Sequence, residues 1–431
     1  MTFFFILFFI LSFYYLCNTY NTVMKKFEIP SYYRSPIISE VKELRKLKDP
    51  RKQDFSPTLL NFGPINFHIA RHFGFCFGVE NAIEISYRAI SENKNKKIYL
   101  LSQMIHNPGV NNDLLEHGIQ FIQDTSGKQL IDWKTITKDD IIIIPAFGTT
   151  VEIENQISKI GIEVKKYNTT CPFVEKVWNR SQKLGSEDYT VIIHGKKNHE
   201  ETRATFSHSN EYAKSIIVKD IEETKILAQF ISGEIDISDF KTVFKNSFSE
   251  SFNPETDLQK IGVVNQTTML ASETQEITDY LYKVVETKFG KQNIKNHFAN
   301  TRDTLCYATN DNQTATQNLM EVQADIAIVV GGYNSSNTTH LVELLEQSHT
   351  TFFIKDESEL TDDFSFNHFN ISTKEMSKSS SFLTKLPKNI ILSSGASCPD
   401  ATIDRVLQKV LSFYNHTNTI KTVLKNLQHE N

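Results

Sequence analysis

Asn168-Thr169-Thr170-Cys171-Pro172-Phe173-Val174-Glu175 reads as a strand end, a helix cap and a helix start gathered around one thiol. Thr and Cys fall at cap positions, and Pro172 suits the first helical position, where a missing N–H costs nothing. A cysteine placed there faces free backbone N–H groups and the positive end of a helix dipole, both of which favour its thiolate. Such a thiol is prepared to ligate a metal.

The arrangement occurs twice more. Upstream, the apolar run Ile65 to Ala70 leads into Gly74-Phe75-Cys76-Phe77-Gly78-Val79-Glu80; downstream, Thr304-Leu305-Cys306-Tyr307-Ala308-Thr309 opens a helix-compatible stretch. Each cysteine is followed within two residues by an aromatic. After each cysteine helix comes an apolar strand and a polar loop: Ile98 to Leu101 into His106-Asn107-Pro108, Val191 to Ile193 into Asn198-His199-Glu200-Glu201, and Ile326 to Val330 into Asn334-Ser335-Ser336-Asn337. The offsets agree closely (106−76=30, 199−171=28, 337−306=31), as expected of an internal repeat.

A further strand and loop complete each unit. Ile141 to Pro145 runs into Ala146-Phe147-Gly148, Ile261 to Val264 into Asn265-Gln266-Thr267-Thr268, and Ile390 to Leu392 into Ser394-Gly395-Ala396-Ser397. Loops rich in Gly, Ser and Thr between a strand end and a helix start gather N–H groups and hydroxyls, which is anion-binding chemistry. The expected fold is α/β, with three pseudo-equivalent α/β domains arranged as a trefoil about one centre. The expected limits are a leader and arm over 1–66, domains over 67–165, 166–295 and 296–413, and a tail over 414–431.

The remaining composition narrows the class. A chain of 431 residues exceeds one ordinary core. Its 46 basic and 51 acidic residues give a net charge of −5, against a nucleic-acid surface. Five scattered cysteines do not make a secreted disulfide framework, so a reducing compartment is expected. Phe3 to Leu16 is an apolar run shorter than the ~20 residues of a membrane span. Residues 1–23 read as an extension upstream of a start at Met24, with a targeting segment or anchor as the rival. The expected compartment is the cytoplasm, or a plastid-type organelle if residues 1–60 are a targeting segment. From Lys25 to Pro64 the chain is proline-broken, with one helix expected over Ile38 to Leu47. Ser232 to Leu258 and Asp362 to Lys388 read as insertions.

A lone cysteine is usually packing. That reading holds for Cys17 and Cys398, but threefold equivalence reverses it for Cys76, Cys171 and Cys306. A structural zinc would want paired cysteines, whereas three single ones from three domains suit an iron–sulfur cluster with one iron left without a protein ligand. His106, His199, Ser335, Ser336, Asn337 and Ser397 supply neutral or cationic donors around it, and Thr267 and Thr268 add hydroxyls. That set suits a diphosphate. Glu201 stands out as a carboxylate two positions after His199, while His194, His208, His297 and His340 have no repeat placement and read as structural.

These residues resemble the 4-hydroxy-3-methylbut-2-enyl diphosphate reductase family, also called IspH or LytB. The likeness runs from about Asn66 to Phe413 through GFCFGVE, HNPGV, TTCPFVEKVWN, NHEET, NQTTM, LCYAT, GGYNSSNT and SGAS in family order. The resemblance implies a three-lobed fold around a 4Fe-4S cluster held by Cys76, Cys171 and Cys306, with Glu201 as proton donor and Thr267 as relay. It also implies reductive loss of an allylic hydroxyl, with electrons from a ferredoxin or flavodoxin. One departure stands out: many members carry a histidine in an Ala-His-Gly loop, and here Phe147 takes that place, as in the plant and cyanobacterial branch. Lys196 or Lys197 is the expected substitute donor. Quinolinate synthase, also built around three cysteines, is the enzymatic rival and an iron–sulfur sensor the non-enzymatic one. Oligomeric state is not legible in the sequence.

Overall fold

The computed structural model describes residues 27–299 and 304–429 of the chain. The expected leader, with Phe3 to Leu16, Cys17 and the proposed start at Met24, lies outside the described residues.

Short apolar runs ending in polar loops form three mostly parallel sheets. The strands are β1 (Thr58–Asn61), β2 (Asn66–Ile69), β3 (Ile98–Leu100), β4 (Gln120–Phe121), β5 (Ile141–Ile143), β6 (Thr190–His194), β7 (Ser215–Val218), β8 (Ile261–Asn265), β9 (Ile326–Val330), β10 (Thr351–Ile354), β11 (Asn367–Asn370), β12 (Glu375–Lys378) and β13 (Asn389–Ser394). One sheet has the order β4-β3-β5, a second β7-β6-β8 and a third β1-β2-β13-β9-β10. Central strands β3, β6 and β9 are buried along their whole length, as parallel strands covered on both faces must be.

The strand expected to open the first domain pairs elsewhere. β2 runs parallel to β13, Ile69 opposite Leu392, and so belongs to the third sheet. The residues leading into the other two cysteines behave alike: Asn168 bridges Ile144 beyond β5, and Phe298 bridges Ile261 of β8. Each cysteine lead-in thus extends the sheet before it in the cycle, and the first lead-in closes the ring by joining the last sheet. The expected limits at 67, 166 and 296 therefore cut these lead-ins from the sheets they pair with. The physical reason is edge pairing: an open parallel edge leaves backbone N–H and C=O groups unsatisfied, and an adjoining strand satisfies them.

Arm and tail are likewise part of the third lobe. The helix Ile38–Lys48 buries Ile38, Val41 and Leu44, β1 adds Leu60, and the terminal helix Ile420–His429 adds Val423 and Leu427 to one core with β9 and β13. Both insertions also pack. Phe240, Phe244 and Phe252 fill the second lobe, and Phe364 and Phe366 enter the third core beside the β11–β12 hairpin. Among the described residues no helix is long and apolar enough to cross a membrane.

Candidate active site

Every cysteine lead-in ends at a helix cap. Cys76 caps Phe77–Glu92, Cys171 caps Pro172–Ser186 with Pro172 at its first turn, and Cys306 caps Tyr307–Met320. The Cys306 sulfur accepts from the Thr309 N–H at 3.3 Å and lies 3.0 Å from the Thr309 hydroxyl. Gly78 is required by this convergence: a Cβ there would stand 2.6 Å from the Cys171 sulfur. All three sulfurs line one cavity, together with His106, His199, Glu201, Thr267, Thr268, Ser335, Ser336, Asn337 and Ser397. These cysteines, donors and Glu201 expected from the sequence are thus brought together, the donors and Glu201 from loops at the carboxyl ends of β3, β6, β8, β9 and β13, whereas Lys196 and Lys197 do not line the cavity. Ligands of parallel sheets gather at those ends.

The thiols do not behave as expected. Burial pushes Cys171 and Cys306 up to about 12, and the neighbouring cysteines add to the rise; burial also raises Cys76. Desolvation of three adjacent anions outweighs the helix N–H groups, so the protein alone does not hold them as thiolates. A positively charged metal group among them would remove that penalty, and the donor set fits one with soft thiolate ligands.

Glu201 lies in the first turn of Glu200–Asn210, 1% exposed. Its Oε1 accepts from the Thr267 N–H at 2.5 Å and its Oε2 from the Thr267 hydroxyl at 3.0 Å. Burial raises its carboxyl to about 7, although both Thr267 bonds pull the other way. His199 is pushed well below its ordinary value, by burial first and then by His106 and Lys196, so it is neutral at pH 7. Its Nδ1 accepts from the Glu201 N–H at 3.2 Å, which leaves the proton on Nε2 and makes that nitrogen a donor.

Phe147 is a wall of the site. Its ring stacks on His106 at 4.3 Å and meets His199 edge-on at 5.5 Å. Of the two lysines expected to compensate, Lys196 Nζ lies 3.5 Å from the Ser336 hydroxyl, while Lys197 Nζ turns away to the Lys245 carbonyl at 2.9 Å. Lys197 is excluded by that geometry. Ser335 caps its own helix by accepting from the Thr338 N–H. The Asn337 Oδ1 accepts from the Ala396 N–H at 2.9 Å, and its buried Nδ2 has no partner among the described residues, as a ligand donor would.

Three polar groups escaped the sequence reading. Glu200 places Oε2 3.1 Å from His106 Nε2, and its buried Oε1 is unpartnered among the described residues. Gln266 bridges Thr268 at 2.7 Å and Ser336 at 3.4 Å, and Asn312 reaches Asn337 at 3.4 Å. Glu200 and Gln266 sit inside NHEET and NQTTM, so their neighbours were the available signal; Asn312, nearly two turns beyond Cys306, had none. Cys398 is fully buried in the third core and does not line the cavity. His194, His208, His297 and His340 bond to Thr274, Thr149, Gln259 and Glu343 outside it.

The model of the LytB protein family matches residues 67–411. This chain belongs to that family. It is 37% identical over 354 residues to the 4-hydroxy-3-methylbut-2-enyl diphosphate reductase of Synechococcus sp. (strain WH7803), covering 82% of this chain and 86% of the relative. The enzyme of that name from Gloeothece citriformis (strain PCC 7424) is 34% identical over 383 residues, covering 89% and 90%. The solved E-1-hydroxy-2-methyl-but-2-enyl-4-diphosphate reductase from Plasmodium falciparum shares the fold, with a TM-score of 0.58 at 22% identity over 81% of this chain and 87% of that one. The LytB family implies an iron–sulfur cluster, and the three converging cysteines are the residues present to hold it. Membership sets aside quinolinate synthase and a sensor as readings of the chain.

Proposed function

We propose that this chain reduces 4-hydroxy-3-methylbut-2-enyl diphosphate to isopentenyl and dimethylallyl diphosphates, the last step of the non-mevalonate isoprenoid pathway. Cys76, Cys171 and Cys306 would hold a 4Fe-4S cluster that leaves one iron without a protein ligand. When bound, that group supplies Lewis acidity and electrons. The diphosphate is held by His199 Nε2, His106, Asn337 Nδ2, Ser335, Ser336, Thr268 and Ser397, all donors on the cavity wall, and Lys196 stands behind Ser336 at 3.5 Å. Ser397 also fixes His106 by donating to its carbonyl at 3.1 Å. Ile105, Val79, Val174 and Phe147 make the remaining wall apolar, which suits an isoprenoid carbon chain and excludes water. Electrons come from a ferredoxin or flavodoxin.

The observation that carries this reading is Glu201. A carboxyl poised near 7, clamped through both oxygens by Thr267 and opening on the cavity shared by the cysteines, is a proton source matched to neutral pH. Expelling water is far easier than expelling hydroxide, and a positioned acid contributes typically ~100- to 10,000-fold. The competing role, a helix-start glutamate, would contribute only a few tenths of a kcal/mol of dipole stabilisation.

Glu201→Gln separates the two. It keeps shape and removes the titratable proton, so turnover is expected to fall at least ~100-fold with the cluster retained. In the unaltered protein the maximal rate should decline as pH rises through about 7, where the carboxyl loses its proton, and the residual rate of the variant should lack that limb. Near-normal turnover in Glu201→Gln would return Glu201 to a structural role.

A further inference from the structure

The aromatic that follows each cysteine takes no part in the substrate cavity: Phe77, Phe173 and Tyr307 do not line it. They meet one another instead, with Tyr307 as the common neighbour. The Phe77 N–H donates to the Tyr307 hydroxyl at 3.1 Å, which ties the first lobe to the third, and the Phe173 ring of the second lobe lies 5.1 Å from the Tyr307 ring. Of the three rings only this one carries a hydroxyl.

That hydroxyl sits over the helix start that holds Cys76. Cys76 caps the helix Phe77–Glu92; the Phe77 N–H goes to Tyr307, while those of Val79 and Gly78 pull the Cys76 thiol down against its burial. A sulfur and a phenol oxygen thus share three consecutive N–H groups, and both residues line one cleft. A phenol titrates near ~10 and keeps its proton at neutral pH. The Tyr307 hydroxyl accepts from Phe77 and gives that proton to no partner among the described residues. Two carboxylates of the cleft are engaged by cations, Glu80 by Arg34 at 2.9 Å and Asp400 by Lys42 at 2.5 Å. The acceptor on the same helix start is the Cys76 sulfur.

We propose that Tyr307 is a positioning residue for the cluster: its hydroxyl, held in place by the Phe77 N–H, donates to the Cys76 sulfur and makes the cluster easier to reduce. The inference rests on the reading of Cys76, Cys171 and Cys306 as cluster ligands. One electron from an external reductant adds one negative charge to the group, and the phenol keeps its proton in both states. A donor at a ligating sulfur is worth more to the more negative state, so it raises the reduction potential. Cys306 has such a donor in Thr309, whose hydroxyl is 3.0 Å from its sulfur; Tyr307 supplies one to Cys76 from across the lobe boundary.

The test is a redox titration of the cluster-loaded full chain with dithionite and mediators, followed by EPR. At the potential where the unaltered cluster is half reduced, the reduced-to-oxidised ratio in Tyr307→Phe should be lower by about 10-fold, with iron content unchanged. Phe173→Leu, which removes the ring contact and leaves the hydroxyl, should keep the original ratio. The sign separates the hydrogen bond from mere loosening: water admitted to the cluster also stabilises its reduced state, and would move the ratio up. An unchanged ratio in Tyr307→Phe would mean that the hydroxyl gives its proton to water in the cleft, and overturns the assignment; so does a rise, or an equal fall in Phe173→Leu. If the unaltered chain takes up no iron–sulfur cluster, the ligand reading itself fails, and the role of Tyr307 with it.

Discussion

We propose that Glu200 and Lys196 serve the site in place of a histidine at the Phe147 loop. The Phe147 ring can give a diphosphate no charged hydrogen bond, but it stacks flat on His106, whose Nε2 is clamped by Glu200 at 3.1 Å. His106 is thus fixed on two sides, with no protein partner for its Nδ1 among the described residues. Removing the clamp should loosen ground-state binding and spare chemistry. Glu200→Ala is expected to raise the substrate KM about 10-fold with kcat within about 2-fold, and Glu200→Gln to restore most of the loss. The same steady-state measurements should find a raised KM in Lys196→Met and unchanged kinetics in Lys197→Met, whose amine points elsewhere. A kcat effect without a KM effect at Glu200 would contradict a binding role. Of these residues the sequence showed His106, which closes a repeat, and the two lysines of the loop before His199 as alternatives. It did not show Glu200, since a glutamate at a helix start is commonplace, nor the direction of the thiol shift, since burial cannot be seen in a cap motif.

At the scale of elements, the three strand-loop-helix repeats were legible because every apolar run ends in a polar loop at a constant offset from its cysteine. Strand partners were not. A run such as Asn66–Ile69 has the same alternation whichever sheet edge it joins, and only β13 lying beside it decides the matter. The arm was undervalued for a related reason: its prolines announce a linker, yet Ile37, Ile38, Val41, Leu44 and Leu60 are at most 8% exposed. At about 1.5–3 kcal/mol for each such side chain, their loss is on the order of 10 kcal/mol, comparable with a domain's net stability of about 5–15. A protein beginning at Met24 should therefore fold and load its cluster, whereas one beginning at Gly63 should be insoluble or lack a cooperative thermal transition. A cooperative melt in the shorter protein, within a few degrees of the longer one, would show that the arm is dispensable to the core.

For the whole molecule, three lobes closed into a ring explain why three cysteines so far apart in the chain meet. Each lead-in is held by the preceding sheet and each cap opens the next helix, so displacing any one lobe would open the cavity. Protein purified without oxygen should contain about four irons and four sulfides per chain. Cys76→Ser, Cys171→Ser or Cys306→Ser should each lose most of the cluster or its function, and Cys398→Ala, in the third core, should keep both. Loss in Cys398→Ala with retention in Cys306→Ser would reverse the ligand assignment. The reductase reading itself is tested most directly by anaerobic turnover: cluster-loaded protein, 4-hydroxy-3-methylbut-2-enyl diphosphate and dithionite with a viologen mediator, quenched and analysed for products. The expected result is isopentenyl and dimethylallyl diphosphates with substrate consumed in step. Intact substrate after incubation with protein carrying its full iron would contradict it.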